Sequence, residues 1–246
     1  MFFDSAGVRL HYELHGHEAD KPVVLVHGFA SDYNLNWVGS RWQETLVGAG
    51  RRVIGLDCRG HGRSDKPHDS RAYGLRVMAA DVVRLLDHLD LQTADYVGYS
   101  MGGRIGIQLL LDSPSRLRRA VLGGIGWTGA FRNADSVARA LRTRQADDPI
   151  AQRFLDFAAS RPSNDLEALA ACILGPNPEP DPARLAGVTV PVLVVIGDQD
   201  DIADDVPRLM AAMPSARAVM LPGRNHMSAV PAREFKDAAL AFLSDS

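Results

Sequence analysis

Residues 95–111 read DYVGYSMGGRIGIQLLL. Asp95 to Tyr99 is a short run of the kind a buried strand uses, and Arg104 to Leu111 is apolar on most sides, as in a buried helix. Ser100 stands between them in Gly98-Tyr99-Ser100-Met101-Gly102, with Gly103 following. A chain that passes from strand to helix in so few residues must bend sharply. The bend leaves no room for side chains two positions either side of the serine, and both positions are glycine. It also lifts the hydroxyl above the sheet, at a helix N-terminus whose dipole favours developing negative charge. The pattern predicts Ser100 as a nucleophile on a strained turn.

Working outward, the same strand-helix rhythm recurs. Val23–Val26, Arg52–Leu56, Ala120–Leu122, Val190–Ile196 and Ala218–Leu221 are further apolar runs, and each ends at or near glycine, aspartate or proline. Val8–Leu14 alternates apolar and polar residues, the pattern of a half-exposed antiparallel strand. Helical periodicity marks Leu75–Leu89 and Glu234–Leu243. Buried strands alternating with helices predict an α/β fold with a mostly parallel sheet covered on both faces. Between Gly126 and Val188 no strand is evident. Val137–Leu141, Phe154–Ala159 and Leu166–Leu174 read as helices, and Gly175–Pro182 (GPNPEPDP) as a proline-rich connection. The expected organisation is a core of residues 1–125 and 189–246 with a small helical insertion, 126–188.

A serine nucleophile needs a base, an acid that orients the base, and donors for the oxyanion. His27-Gly28-Phe29 follows a buried strand, where Gly28 permits close approach of the chain. The N–H groups of Phe29 and Met101 are the candidate oxyanion donors; the His27 side chain is read as fixing the loop. Asp198, Asp200 and Asp201 follow the Val190–Ile196 strand. Asp200 lies far enough into the loop to turn back toward a base and is preferred, with Asp201 and Asp198 left open. His226, in Asn225-His226 before the final helix, is the candidate base, which completes the chain order Ser, Asp, His. His11, His15, His17, His68 and His88 read as ordinary surface or structural histidines.

Composition narrows the classes. The chain has 246 residues, 46% hydrophobic and 23% charged, enough for one large soluble α/β domain. The net charge of −3 and the lack of a basic tract argue against nucleic acid as a partner. The densest basic stretch, Arg116–Arg119, is read as cations at a helix C-terminus. The two cysteines, Cys58 and Cys172, are far apart and form no CxxC pair, which fits a reducing compartment. No signal peptide or spanning segment is evident, so a cytoplasmic location and no membrane partner are expected. Gly124–Gly129 matches GxGxxG, but no second strand precedes the acidic residues about 20 positions on, as a dinucleotide site would need. No metal-ligand spacing occurs, so neither metal nor cofactor is expected.

HGF (27–29), DCRGHGRSDKP (57–67), GYSMGG (98–103), GDQD (197–200) and NH (225–226) together resemble the α/β-hydrolase superfamily. The resemblance is to its esterase, lactonase and cofactor-free haloperoxidase/perhydrolase branch, and covers nearly the whole chain outside the insertion. It implies that Arg59–Gly62 forms a loop shaping the sheet top, with His61 structural. A serine at the elbow departs from the dehalogenase and epoxide-hydrolase relatives, and the insertion is short for a carbon-carbon-bond hydrolase. The implied activity is hydrolysis of a small-molecule carboxylic ester through an acyl-enzyme, with lactones, thioesters and perhydrolysis open to the same machinery. Trp127, Phe131, Phe154 and Phe157 either line an apolar substrate site or pack the insertion. A ligand receptor or signalling protein that retains the fold is the alternative from another class.

Overall fold

The computed structural model describes residues 1–127 and 133–244. Its strands are β1 (Phe2–Ser5), β2 (Val8–His15), β3 (Lys21–Val26), β4 (Arg51–Leu56), β5 (Ala94–Tyr99), β6 (Leu117–Gly123), β7 (Val192–Gly197) and β8 (Arg217–Leu221). They form one sheet in the order β1-β2-β4-β3-β5-β6-β7-β8. β1, β2 and β4 pair antiparallel, and every other pair is parallel. Ten α-helices among the described residues complete the chain: α1 (Trp42–Gly48), α2 (Leu75–His88), α3 (Met101–Asp112), α4 (Ala134–Thr143), α5 (Pro149–Ala159), α6 (Leu166–Ile173), α7 (Pro182–Ala186), α8 (Val206–Ala212), α9 (His226–Ala229) and α10 (Arg233–Ser244).

Successive strand residues point to opposite faces. In β3, Val24 and Val26 join a core with Val82 and Leu85 of α2 and Ile105 and Leu109 of α3. Val23 and Leu25 face the other way, against Leu46 of α1 and Phe235 and Phe242 of α10. Both faces of the parallel strands are therefore apolar, and β7 reads as the unbroken run VLVVIG for that reason. Aspartates fix several helix starts: the side chains of Asp148, Asp165 and Asp181 accept first-turn N–H groups of α5, α6 and α7.

Some expectations change. β1 precedes the expected antiparallel strand and pairs with it; its four residues are too few to show alternation. The proline-rich connection ends in α7, because Asp181 caps it and Pro182 occupies its first turn. Within Arg116–Arg119, Arg116 ends a short 3-10 turn, Pro114–Arg116, and its guanidinium donates to the carbonyls of Leu91 and Gln92, in the segment between α2 and β5. Arg118 and Arg119 lie on β6, where Arg118 donates to Asp95 and Pro22 O and Arg119 lies over the Phe242 ring. Between β6 and β7 the described chain is helical, α4 to α7. No helix among the described residues is long and apolar enough to cross a membrane.

The strand order also locates the site. From β3 the chain moves to β4 on one side and then to β5 on the other. The loops that leave β3 and β5 diverge there, and such a reversal opens a crevice at the strand carboxyl ends.

Candidate active site

Ser100 sits in that crevice between β5 and α3, with φ 54° and ψ −113°. A non-glycine residue in this region carries strain of about 1–3 kcal/mol, which the surroundings must hold in place. Ser100 N–H donates to Gly123 O at 2.8 Å, and Ser100 O accepts from Arg104 N at 3.0 Å. The flanking glycines are sterically required: a Cβ on Gly98 would lie 2.3 Å from Gly102 O, and one on Gly102 would lie 2.0 Å from Val26 O. Backbone cannot yield as a flexible side chain could. Gly102→Ala is therefore expected to destabilise the protein by about 3 kcal/mol, the upper range for overpacking. Urea denaturation checks this; a change below about 0.5 kcal/mol would mean that the turn is not tightly packed.

His226 is the first residue of α9. Asn225 caps that helix, accepting from the N–H groups of Met227 and Ser228, while Asn225 N–H donates to Ser228 Oγ. The Tyr99 hydroxyl donates to His226 O at 2.5 Å, which ties this histidine to the residue before the serine. At four residues, this helix is too short to show periodicity in the sequence.

The side chains of Ser100, His226 and Asp200 meet in one chain of hydrogen bonds. His226 Nε2 lies 3.0 Å from Ser100 Oγ, and Nδ1 lies 2.8 and 3.0 Å from the two oxygens of Asp200. A carboxylate can only accept, so Nδ1 carries the proton and Nε2 presents its lone pair to the serine hydroxyl. Asp200 Oδ1 also accepts from the N–H groups of Ile202 and Ala203, each at 2.9 Å. Burial works against the Asp200 carboxylate, but the hydrogen bond and charge of His226 and these two N–H groups outweigh it and hold the carboxyl below its usual range. The neighbouring carboxylates are engaged elsewhere. Asp198 accepts from Gly223 N at 2.7 Å, and Asp201 pairs with Arg153 at 2.7 Å.

The loop after β3 passes directly against the serine. A Cβ on Gly28 would lie 3.4 Å from Ser100 Cβ and 3.7 Å from Asn36 Oδ1. The peptides on either side of Gly28 are each held by a hydrogen bond. Gly28 N–H donates to Asn36 Oδ1 at 3.1 Å, and Gly28 O accepts from His27 Nδ1 at 2.8 Å. His27 Nε2 accepts from Cys58 N at 3.0 Å, so the proton belongs on Nδ1. In a trans peptide the Phe29 N–H then lies on the edge opposite that anchored carbonyl. Met101 is the first residue of α3, where N–H groups have no carbonyl one turn back.

A cavity of about 700 Å³ opens onto Ser100 and His226. Phe29, Phe154 and Phe157 form its aromatic wall, with the Phe29 and Phe154 rings 5.8 Å apart, edge to face. Trp127 is absent from the lining of this cavity and packs in the core, the second of the two readings left open for it. Its ring is buried under the Arg208 guanidinium at 4.2 Å, and its Nε1 donates to Glu179 at 2.9 Å, which turns it toward α8 instead. Phe131 lies outside the described residues. Leu35, Asn36, Met227 and Val230 also line the cavity and carry no mark in the sequence. Leu35 and Asn36 belong to a π-helical turn, Asn34–Val38, closed by Gly39 N–H donating to Asn34 O at 2.8 Å. A single turn of that kind has no repeating signature, and such turns are frequent at functional sites.

Residues 21–186 match the family described as alpha/beta hydrolase fold. A protein of Variovorax paradoxus (strain S110), named as a carbamate hydrolase, is 40% identical over 116 residues, or 46% of this chain and 41% of that protein. The dihydrolipoyllysine-residue acetyltransferase component of the acetoin cleaving system of Pseudomonas putida is 32% identical over 252 residues, or 94% of this chain and 65% of that protein. The chain thus spans less than two thirds of the length of either relative. The crystal structure of a hydrolase from Pseudomonas aeruginosa PA01 matches with a TM-score of 0.83 and 27% identity, covering 100% of this chain and 98% of that one.

Proposed function

We propose, because the chain belongs to the α/β-hydrolase fold family, that it is a serine hydrolase cleaving carboxylic esters, with Ser100 as nucleophile, His226 as general base and acid, and Asp200 as orienting acid. The observation that carries this reading is the continuous Ser100–His226–Asp200 hydrogen-bond chain, anchored on a strained turn that lines a cavity.

The geometry supports the following course for the proposed reaction. Nε2 of His226 takes the Ser100 proton as Oγ attacks the carbonyl carbon. The carbonyl oxygen becomes an oxyanion, received by the N–H groups of Phe29 and Met101; one such donor typically contributes about 3–4 kcal/mol to the transition state. The protonated His226 then gives its proton to the leaving alkoxide as the C–O bond breaks. Water, deprotonated by the same nitrogen, releases the acid and restores Ser100. The buried Asp200 carboxylate stabilises the imidazolium in both steps. The names of the two relatives, a carbamate hydrolase and an acetyltransferase component, both describe chemistry at an acyl carbon, which supports this class. The apolar wall of Phe29, Phe154 and Phe157 favours apolar acyl groups over charged ones.

The test is a panel of p-nitrophenyl esters of rising chain length, run beside lactones and acyl thioesters, together with labelling by a fluorophosphonate probe. Turnover is expected on short to medium apolar acyl esters, with labelling of one serine. No turnover on any substrate and no labelling would remove the proposal; tight binding of a small molecule without turnover would favour a receptor that retains the fold.

A further inference from the structure

We infer that Arg161 and Asn164, in the turn between α5 and α6, are positioning residues that hold the loop carrying the Phe29 N–H against Ser100. This rests on the proposed acyl-transfer chemistry and adds to it a dependence of oxyanion binding on the helical insertion.

The loop that follows β3 is anchored from the sheet at both ends. At its start, the His27 ring holds the carbonyl of the Gly28–Phe29 peptide, and Asn36 accepts from the N–H of the peptide before it. At its far end, Tyr33 N–H donates to Asp57 Oδ1 at 2.8 Å. The middle, Ala30 to Asp32, is held from the insertion. Ala30 is a non-glycine residue at φ 56°, a conformation that persists only where neighbours impose it. Its carbonyl accepts from Asn164 Nδ2 at 3.1 Å. The other hydrogen of that amide goes to Ala158 O at 3.1 Å, in the last turn of α5. Beside it, Arg161 Nη2 pairs with Asp32 Oδ2, and the second oxygen of Asp32 accepts from Leu35 N–H at 2.7 Å.

These contacts make one mechanical unit. α5 supplies Phe154 and Phe157 to the cavity wall, and its end is stitched through Asn164 to the residue after Phe29. Arg161 and Asn164 lie apart from the reacting groups and act through the loop. An oxyanion donor works only if it stands where the charge develops, and a displacement of about 1 Å can cost about 100-fold in rate. Substrate in the ground state has little negative charge on its carbonyl oxygen, so binding depends far less on this alignment.

Four variants test the assignment. Asn164→Asp keeps the side-chain shape but removes both donors. Arg161→Ala removes the ion pair, and Arg161→Lys restores a cation to Asp32. His68→Gln is the control: it breaks another link to the insertion, the exposed His68–Asp165 pair at 2.9 Å, without touching this loop. Each is assayed for kcat and KM on p-nitrophenyl butyrate and for inhibition by butylboronic acid, whose serine adduct places an oxygen where the oxyanion would lie. Thermal melting confirms folding, and the Arg161 pair decides the matter should Asn164→Asp not fold. The expected result is a kcat lower by about 10- to 100-fold for Asn164→Asp and Arg161→Ala, with KM within about threefold and the boronate constant weakened in step with kcat. Arg161→Lys should recover most of the loss, and His68→Gln should match the wild type. Unchanged kcat, or a rise in KM with unchanged boronate affinity, would reduce both residues to packing of the insertion. A wild type that is neither labelled by a fluorophosphonate nor active on esters would overturn the serine-hydrolase proposal and this inference with it; an active wild type matched by its variants would overturn the inference alone.

Discussion

Ser100→Ala is expected to lower kcat on the best ester of the panel by about a million-fold and to abolish fluorophosphonate labelling. The size follows from the units involved. Without Oγ there is no acyl-enzyme, and His226 can only assist direct attack by water. What remains is the contribution of the oxyanion donors and of substrate binding, about a thousand-fold over the uncatalysed reaction. The substitution should leave the fold in place. Alanine, like serine, carries a Cβ, so the cost of φ 54° is the same before and after. The backbone bonds that set the turn, to Gly123 O and from Arg104 N, do not involve the hydroxyl. KM should therefore change little and the melting temperature by no more than a few degrees. Persistent labelling of the variant would show that another residue is the nucleophile.

Asp200→Asn should lower kcat by about ten-thousand-fold. The contacts of Asp200 say why the loss would be so large for so small a change. Oδ1 receives two backbone donors, from Ile202 and Ala203, so the amide oxygen of asparagine must stay there. The amide NH2 then takes the place of Oδ2 and faces His226 Nδ1, which lies 2.8 Å from that oxygen in the native chain. A donor in this position requires an acceptor, so the ring proton moves to Nε2. That nitrogen can no longer take a proton from Ser100. Asp198→Asn should stay within about threefold of the wild type, because its contact is with Gly223 N–H. Measuring kcat for the two variants side by side is decisive: the reverse ranking would reassign the orienting acid.

The two ends of the serine-histidine pair were legible in the sequence for different reasons. Ser100 sits in a turn whose steric demands are local. Gly98 and Gly102 meet Gly102 O and Val26 O because strand and helix must pass so close. His226 stood out by elimination and by its place after the last strand. The acid was less legible. Asp198, Asp200 and Asp201 are alike in chemistry and crowd one loop. Which of them turns to His226 depends on how the backbone after β7 folds over to offer the N–H groups of Ile202 and Ala203. Arg153, 48 residues away on α5, takes up Asp201. The cavity walls were less legible still. Trp127 and Phe154 are both aromatic residues in or beside the insertion, yet one packs under Arg208 and the other faces Phe29. Asn36 sits in a π turn and had no pattern to mark it.

The order of amino acids alone determined the alternation of buried strands and amphipathic helices, and with it a sheet covered on both faces. It also determined the sharp bend at Ser100, since periodicity and the missing side chains at Gly98 and Gly102 are properties of neighbouring residues. Tertiary structure decided which aspartate meets the histidine, which aromatics face the cavity and what steadies the Phe29 loop. Those outcomes depend on contacts between segments far apart in the chain, such as Asn164 with Ala30 and His226 with Asp200, and no local pattern encodes the meeting of two distant loops.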